Sequence, residues 1–161
     1  MANSRKPRPA LDPVRVALRA ALERHALSGA VICVAFSGGL DSTVLLHALV
    51  REAKAARIHL TALHVNHGLS PNARRWEAHC RQYCVAWGVP LNVRRVRVAQ
   101  RGRVGLEAAA RRARYGALAQ QQAAVVALAH HEDDQAETLM LNLLRGTGLT
   151  GAAGMPAWGQ L

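Results

Sequence analysis

Apolar residues follow two alternating rhythms along this chain. Short apolar stretches (Val31 to Phe36, Ile58 to Val65, Leu91 to Val98, Ala124 to Ala129) read as strands. The first and last are unbroken, as expected for strands buried on both faces of a parallel sheet. Between them, apolar residues recur every three or four positions, the period of a helix with one buried face. Asp12-Pro13 offers an N-cap followed by proline at the first helical position. Val14, Leu18 and Leu22, with Ala17 and Ala21, then form a stripe that Gly29 can end. A second helix is predicted from about Asp41 to Ala56, packing Val44, Leu45, Ala48 and Leu49. A third, Asn72 to Trp87, carries Ala73, Trp76, Cys80, Tyr83 and Trp87 on one face. Gly105 to Gln122 is an alanine-rich helix, and a last helix spans roughly Asp133 to Leu144, ending at Gly146. Arg94, Arg95 and Arg97 place the third strand at a sheet edge. Strands and helices in strict alternation predict right-handed βαβ units and an α/β fold with a doubly wound parallel sheet of about four strands. Its active site should lie outside the carboxyl ends of the strands, at the switch point.

Composition adds constraints. At 161 residues the chain suits one domain, expected over residues 13–161, after a disordered basic tail at residues 1–12. The formal charge is +11, and of 21 basic residues only Lys6 and Lys54 are lysines. Arginine forks bind phosphates bidentately and stack on bases, so a polyanionic partner fits; an arginine- and alanine-rich genome accounts for the charge equally well. Three cysteines and no secretory signal point to a reduced, cytoplasmic protein. Cys33 belongs to the first buried strand, and Cys80 and Cys84, one helical turn apart, are weak evidence for zinc. No stretch approaches the ~20 apolar residues of a membrane span.

The candidate chemistry begins directly behind the first strand, where Ser37 to Ser42 read SGGLDS. Glycines allow a tight turn, and the N–H groups and dipole of the following helix favour an anion there. The Walker pattern needs a lysine before its final Ser/Thr; here that position is Asp41. An acid beside a phosphate needs a cation between them, which implies a magnesium-bound nucleotide with Asp41 on the metal side. An ordinary βα turn that required glycine is the plainer alternative. Behind the fourth strand, His130 to Thr138 read HHEDDQAET, with Asp134 and Glu137 three apart and Asp133 and Glu137 four apart. Acids stabilise a helix N-terminus by about 0.5 kcal/mol each. Two histidines and an additional glutamate exceed that need, so a second magnesium contact or a grip on a substrate amine is expected. A zinc cluster from His64, His67, His130 and His131 competes with this. Arg111 and Arg114, three apart in EAAARRARY, form a candidate anion-binding pair or simply a solvated basic face.

The hexapeptide resembles the PP-loop of the ATP pyrophosphatases, which split ATP between its α and β phosphates and pass AMP to a substrate oxygen. His64 to Leu69 (HVNHGL), then Ala73, Trp76, Glu77, Cys80 and Cys84, WGVP at 87–90, EAAAR…RY and AHHEDDQAETLMLNLLRGTGLTGAAGM are similar, in order and spacing, to the tRNA(Ile)-lysidine synthetase family over roughly residues 30–156. The resemblance implies an adenine nucleotide α-hydrolase-like fold, with ATP and Mg2+ as cofactors. It implies a ligase that adenylates the wobble cytidine of the CAU-anticodon isoleucine tRNA and joins free L-lysine to carbon-2, forming lysidine. By motif, Ser37, Gly38, Gly39, Leu40, Asp41 and Ser42 would hold pyrophosphate and metal, and His64, Asn66 and His67 would shape the adenine pocket. Arg111 would contact ATP or the activated base, and Asp134 and Glu137 would orient the lysine amine. A homodimer is compatible with it. Family members continue further, so an incomplete α/β domain without acceptor-stem-gripping domains is expected. The alternatives are a nucleotide-binding module without ligase activity and a PP-loop tRNA thiolase. The thiolases carry paired CxxC cysteines that this chain lacks.

Overall fold

The computed structural model describes residues 12–97, 105–144 and 158–159. The basic tail, apart from Asp12, therefore lies outside the described residues, as do Val98, Gly146 and the segment through Met155. Among the described residues five helices and four strands alternate: α1 (Pro13–Arg24), β1 (Val31–Ala35), α2 (Leu40–Ala56), β2 (His59–Asn66), α3 (Ala73–Trp87), β3 (Leu91–Arg95), α4 (Leu106–Ala119), β4 (Val125–Ala127) and α5 (Glu132–Leu144). Local chemistry explains several boundaries. The Asp12 side chain caps α1 by accepting from Val14 N at 3.0 Å. Gly88, at φ +65°, closes α3 in the left-handed region where glycine has no Cβ penalty.

The strands form one parallel sheet in the order β3-β2-β1-β4. Alternate residues of β1 enter two different cores. Ile32 and Val34, followed by Phe36, meet Leu22 of α1, Leu46 and Leu49 of α2, and Cys80 and Cys84 of α3. Cys33 faces the other way, with Leu63 of β2, toward Ala117 and Leu118 of α4. Helices thus cover both faces, and the doubly wound expectation holds. The chain runs outward from β1 through β2 to β3, then crosses back to β4 on the opposite side of β1. The crevice between the carboxyl ends of β1 and β4 is the switch point.

The structure differs from the periodicity in phase more than in element type. Val44 is exposed, and Leu46 takes the fully buried place on α2. This helix packs against α1 as well as against the sheet, so its apolar face turns toward both. On α3 the buried positions are Glu77, Cys80 and Cys84, while Trp76 is 51 % exposed. β3 is shorter than expected and pairs only with β2 among the described residues, which makes it the edge strand its arginines implied.

Two buried glutamates, Glu52 and Glu77, were not legible as core residues. Glu52, on α2, accepts from Arg15 Nε at 2.6 Å and from Arg19 Nη2 at 2.6 Å, pinning α1 to α2. Burial pushes its pKa up, but the hydrogen bonds from Arg19 and Arg15 outweigh that and leave it below the ordinary carboxylate value. Glu77 is held by Arg95 Nη2 at 2.9 Å, Arg81 Nη2 at 3.0 Å and Asn66 Nδ2 at 3.2 Å. The Arg95 fork lowers its pKa most, and the carboxyl ends at about 2.

Candidate functional site

A cavity of about 580 Å³ opens over the carboxyl ends of β1, β2 and β4. Its floor is the turn Ser37-Gly38-Gly39. Gly38 has φ +84°, and a Cβ built there would stand 2.8 Å from Cys80 Sγ and 3.4 Å from His79 Cδ2. Glycine is therefore required twice, for the left-handed backbone and for the approach of α3 beneath it. Gly39 is the N-cap of α2 and supplies no side-chain cap. The first intrahelical bond runs from Thr43 N to Gly39 O at 3.0 Å. The N–H groups of Leu40, Asp41 and Ser42 consequently point out of the helix end, toward whatever occupies the turn. Two hydroxyls flank them: Ser37 Oγ and Ser42 Oγ lie 3.0 Å apart, and Ser37 Oγ accepts from Gly39 N at 3.2 Å. Backbone donors, paired hydroxyls and a helix dipole make an anion cradle of phosphate size.

The second wall comes from the end of β2. His64 is buried, with Nδ1 3.0 Å from Phe36 O and 3.4 Å from Cys80 Sγ. A carbonyl can only accept, so Nδ1 carries a proton. The Asn66 side chain is committed within the fold, donating to Glu77 and accepting from Gly68 N at 2.9 Å. It shapes the wall, with one of its two amide N–H donors spent on Glu77. His67 borders the cavity with Nδ1 buried and unpartnered, and Nε of Arg114 is in the same condition. Burial first, then the charge of Arg114, lowers the His67 pKa, so this ring is neutral at pH 7. Buried polar atoms without partners are rare in native folds. Both residues line the cavity, although these two nitrogens are themselves sealed from it.

α5 delivers the acids. The Asp134 carboxylate accepts from His131 N at 2.9 Å, capping the helix, and this bond holds its pKa below the ordinary value. His131 Nε2 lies 3.7 Å from Asp134 Oδ2 and 3.8 Å from Asp41 Oδ2. Carboxylates from α2 and α5 thus converge on one ring nitrogen, and of these residues Asp41 alone lines the cavity while His131 and Asp134 lie outside the lining. Asp41 is 59 % exposed at its side chain and makes no hydrogen bond among the described residues. Magnesium uses one or two carboxylates, phosphate oxygens and water, and this sparse donor set fits it. Among the described residues no three His, Cys, Asp or Glu side chains are grouped to hold a metal, so His64, His67, His130 and His131 do not form the zinc cluster. Burial keeps the His130 pKa low in spite of Asp134.

Of the residues expected from sequence, Ser37, Gly38, Gly39, Asp41, Ser42, His64, Asn66 and His67 all line this one cavity. Leu40 contributes only its backbone, its side chain being 78 % exposed. Arg111 is exposed and stands over the Tyr115 ring at 5.4 Å, outside the cavity lining, whereas Arg114 lines it. Glu137, exposed one turn beyond Asp133, is also outside the lining. Trp76 and His79 of α3 belong to the wall and were missed. The only sequence signal for Trp76 was a large aromatic in the HVNHGL-to-cysteine segment, assigned there to the core stripe.

A family model described as a PP-loop domain matches residues 12–161. Among curated proteins, the tRNA(Ile)-lysidine synthase of Chromobacterium violaceum is 54 % identical over 130 residues, covering 80 % of this chain and 30 % of the relative. That of Alkalilimnicola ehrlichii is 50 % identical over 153 residues, covering 94 % and 34 %. The chain thus spans about a third of the length of these relatives. Among solved structures, the U34-tRNA thiolase NcsA from Methanococcus maripaludis, described with its [4Fe-4S] cluster, superposes with a TM-score of 0.68 at 19 % identity. The overlap covers 82 % of this chain and 49 % of the thiolase, and the likeness is one of fold.

Proposed function

The chain belongs to the PP-loop domain family, and from that premise we propose that it is the ATP-activating part of a tRNA(Ile)-lysidine synthase. The observation that carries the reading is the meeting of the SGGLDS cradle and the Asp41 carboxylate in one crevice at the switch point, with Asp134 outside the lining but sharing the His131 ring with Asp41. The names of the curated relatives, at about half identity, support the choice of substrate.

In this reading the phosphates of ATP replace the Ser37–Ser42 hydroxyl contact and draw on the N–H groups of Leu40, Asp41 and Ser42. Asp41 holds Mg2+, which when bound neutralises charge on the departing pyrophosphate. The carbon-2 carbonyl oxygen of the wobble cytidine attacks the α-phosphorus, and the bond to pyrophosphate breaks. The lysine ammonium first loses a proton to water; the free amine then attacks carbon-2, AMP leaves with the oxygen, and the second N–H proton passes to solvent. Asp134 and Glu137 orient the lysine amine, whose charge suits paired acids. Arg114 and His67, which line the cavity, stand on the nucleotide side, with Arg111 supporting from outside. His64 shapes the adenine side of the wall. The reaction would run in the cytoplasm, on tRNA; no helix among the described residues is long and apolar enough to cross a membrane.

The test is incubation with ATP, Mg2+, radiolabelled lysine and unmodified CAU-anticodon isoleucine tRNA. Pyrophosphate release and tRNA-bound lysine are expected together. ATP binding without pyrophosphate release would instead indicate a nucleotide-binding module, and transfer of sulfur would indicate a thiolase.

A further inference from the structure

A second groove, of about 700 Å³, lies beside the nucleotide cavity, between α3 and the edge strand β3. Its lining includes Arg74 and Arg81 from α3, Arg95 from β3 and Arg97 just beyond it. Against these four arginines it holds one carboxylate, Glu77, whose depressed pKa keeps it ionised. Glu77 fixes Arg81 and Arg95 without consuming them, since their side chains remain 52 % and 75 % exposed. Arg74 and Arg97 are exposed and form no ion pair among the described residues. The groove is therefore a net positive channel with part of its guanidinium array already oriented, the arrangement that suits a chain of phosphates.

Its position identifies the kind of chain. Asn66, Gly68, Ser70 and Ala73 line both the groove and the nucleotide cavity, so the two share a rim. α3 is two-faced about this rim: Arg74, Ala78 and Arg81 turn to the groove, Trp76 and His79 to the cavity. Trp76 offers a half-exposed indole on the cavity side. An acidic polypeptide has no use for an aromatic platform one step over the rim. A single-stranded nucleic acid does, because an unpaired base can leave its neighbours and stack there while the backbone stays on the arginines.

We propose that this groove is the track for the single-stranded RNA backbone, and that Trp76 stacks a base carried over the rim toward the anion cradle. The inference rests on the RNA-substrate reading and adds to it the surface that presents the target nucleotide. Each phosphate neutralised should contribute about 0.7 to the log–log salt slope for a single strand.

The test measures binding of a fluorescein-labelled heptanucleotide carrying CAU, by anisotropy at several salt concentrations. The protein, its R74Q/R97Q double variant and its Trp76→Ala variant are compared. The double variant should bind about tenfold or more weakly at low salt, with a slope reduced by about 1.4. Its affinity for a non-hydrolysable ATP analogue should be unchanged. Trp76→Ala should also weaken RNA binding about tenfold but leave the slope as it was. Unchanged affinity and slope in the double variant would overturn the proposal. So would equal competition by polyglutamate together with a neutral Trp76→Ala, which would make the groove a general anion surface. Failure of the activity reading would look different: RNA binding would follow these predictions while no pyrophosphate is released from ATP in the presence of tRNA.

Discussion

Gly38 concentrates several demands in one residue. Its φ of +84° disfavours any side chain, and Cys80 Sγ occupies the space a Cβ would need. Gly38→Ala should lower stability by about 2–3 kcal/mol and weaken ATP binding, read by chemical denaturation and by nucleotide titration. Adding Cys80→Ala should restore the packing part of that loss and leave the backbone part. Asp41 is the opposite kind of residue, exposed and without a hydrogen bond among the described residues. Asp41→Asn should keep the fold by circular dichroism yet reduce magnesium-dependent ATP cleavage at least a hundredfold, because the charge it removes lies on the surface, beside His131 and the cation, and packs against nothing. Unchanged turnover in a folded variant would remove Asp41 from the metal side. The cradle could be read from sequence because glycines after a buried strand announce themselves. Arg114 could not be chosen over Arg111, because both sit in one arginine-rich helix and only the rotation of α4 against the sheet decides which faces inward.

At the scale of elements, the alternation of strands and helices was legible from periodicity, as was the edge position of β3 from its arginines. Helix phase was less so. Trp76 and Val44 fit apolar stripes by spacing, yet α2 and α3 present Leu46 and the Glu77–Cys80–Cys84 face to their neighbours. Glu77 and Glu52 are buried because arginines from other segments reach them, a contact that no local window of sequence displays. This yields a prediction about α1. Removing Arg15 and Arg19 together, as R15A/R19A, strands Glu52 uncompensated under α1 and should cost about 3 kcal/mol in a urea denaturation. Glu52→Gln, which removes the buried charge itself, should cost less. A double variant as stable as the parent would mean that α1 docks by apolar contact alone.

For the molecule as a whole, the buried carboxylates set the acid limit. Both Glu52 and Glu77 have folded-state pKa values below their ordinary 4.5, Glu77 reaching about 2. A depressed folded pKa means stability that is fully present above about pH 4.5 and lost as pH falls toward 2. Acid unfolding followed by tryptophan fluorescence should therefore steepen below pH 4.5, and Glu77→Gln should flatten that limb while lowering stability at pH 7. A parallel shift of the whole curve would mean that Glu77 contributes packing and not charge. The net charge of +11 gains meaning at this scale, because part of it is gathered on one groove beside the site. Composition alone could not separate a binding surface from an arginine-rich genome; the salt dependence of RNA binding by the R74Q/R97Q variant is what separates them.

The sulfur beneath the cradle gives the protein a chemical clock of its own. All three thiols are buried, and burial drives Cys80 to about 12 and Cys84 to about 11. None can react with an alkylating reagent until something opens. Because Cys80 underlies Gly38, its labelling rate should time the lifting of the phosphate turn, while Cys33, inside β1, should wait for unfolding of the sheet. Iodoacetamide labelling followed by mass spectrometry, with and without ATP, should show Cys80 slowed several-fold by nucleotide when the chain is folded. Equal rates at Cys80 and Cys33, unaffected by ATP, would mean that the turn never moves independently of the core.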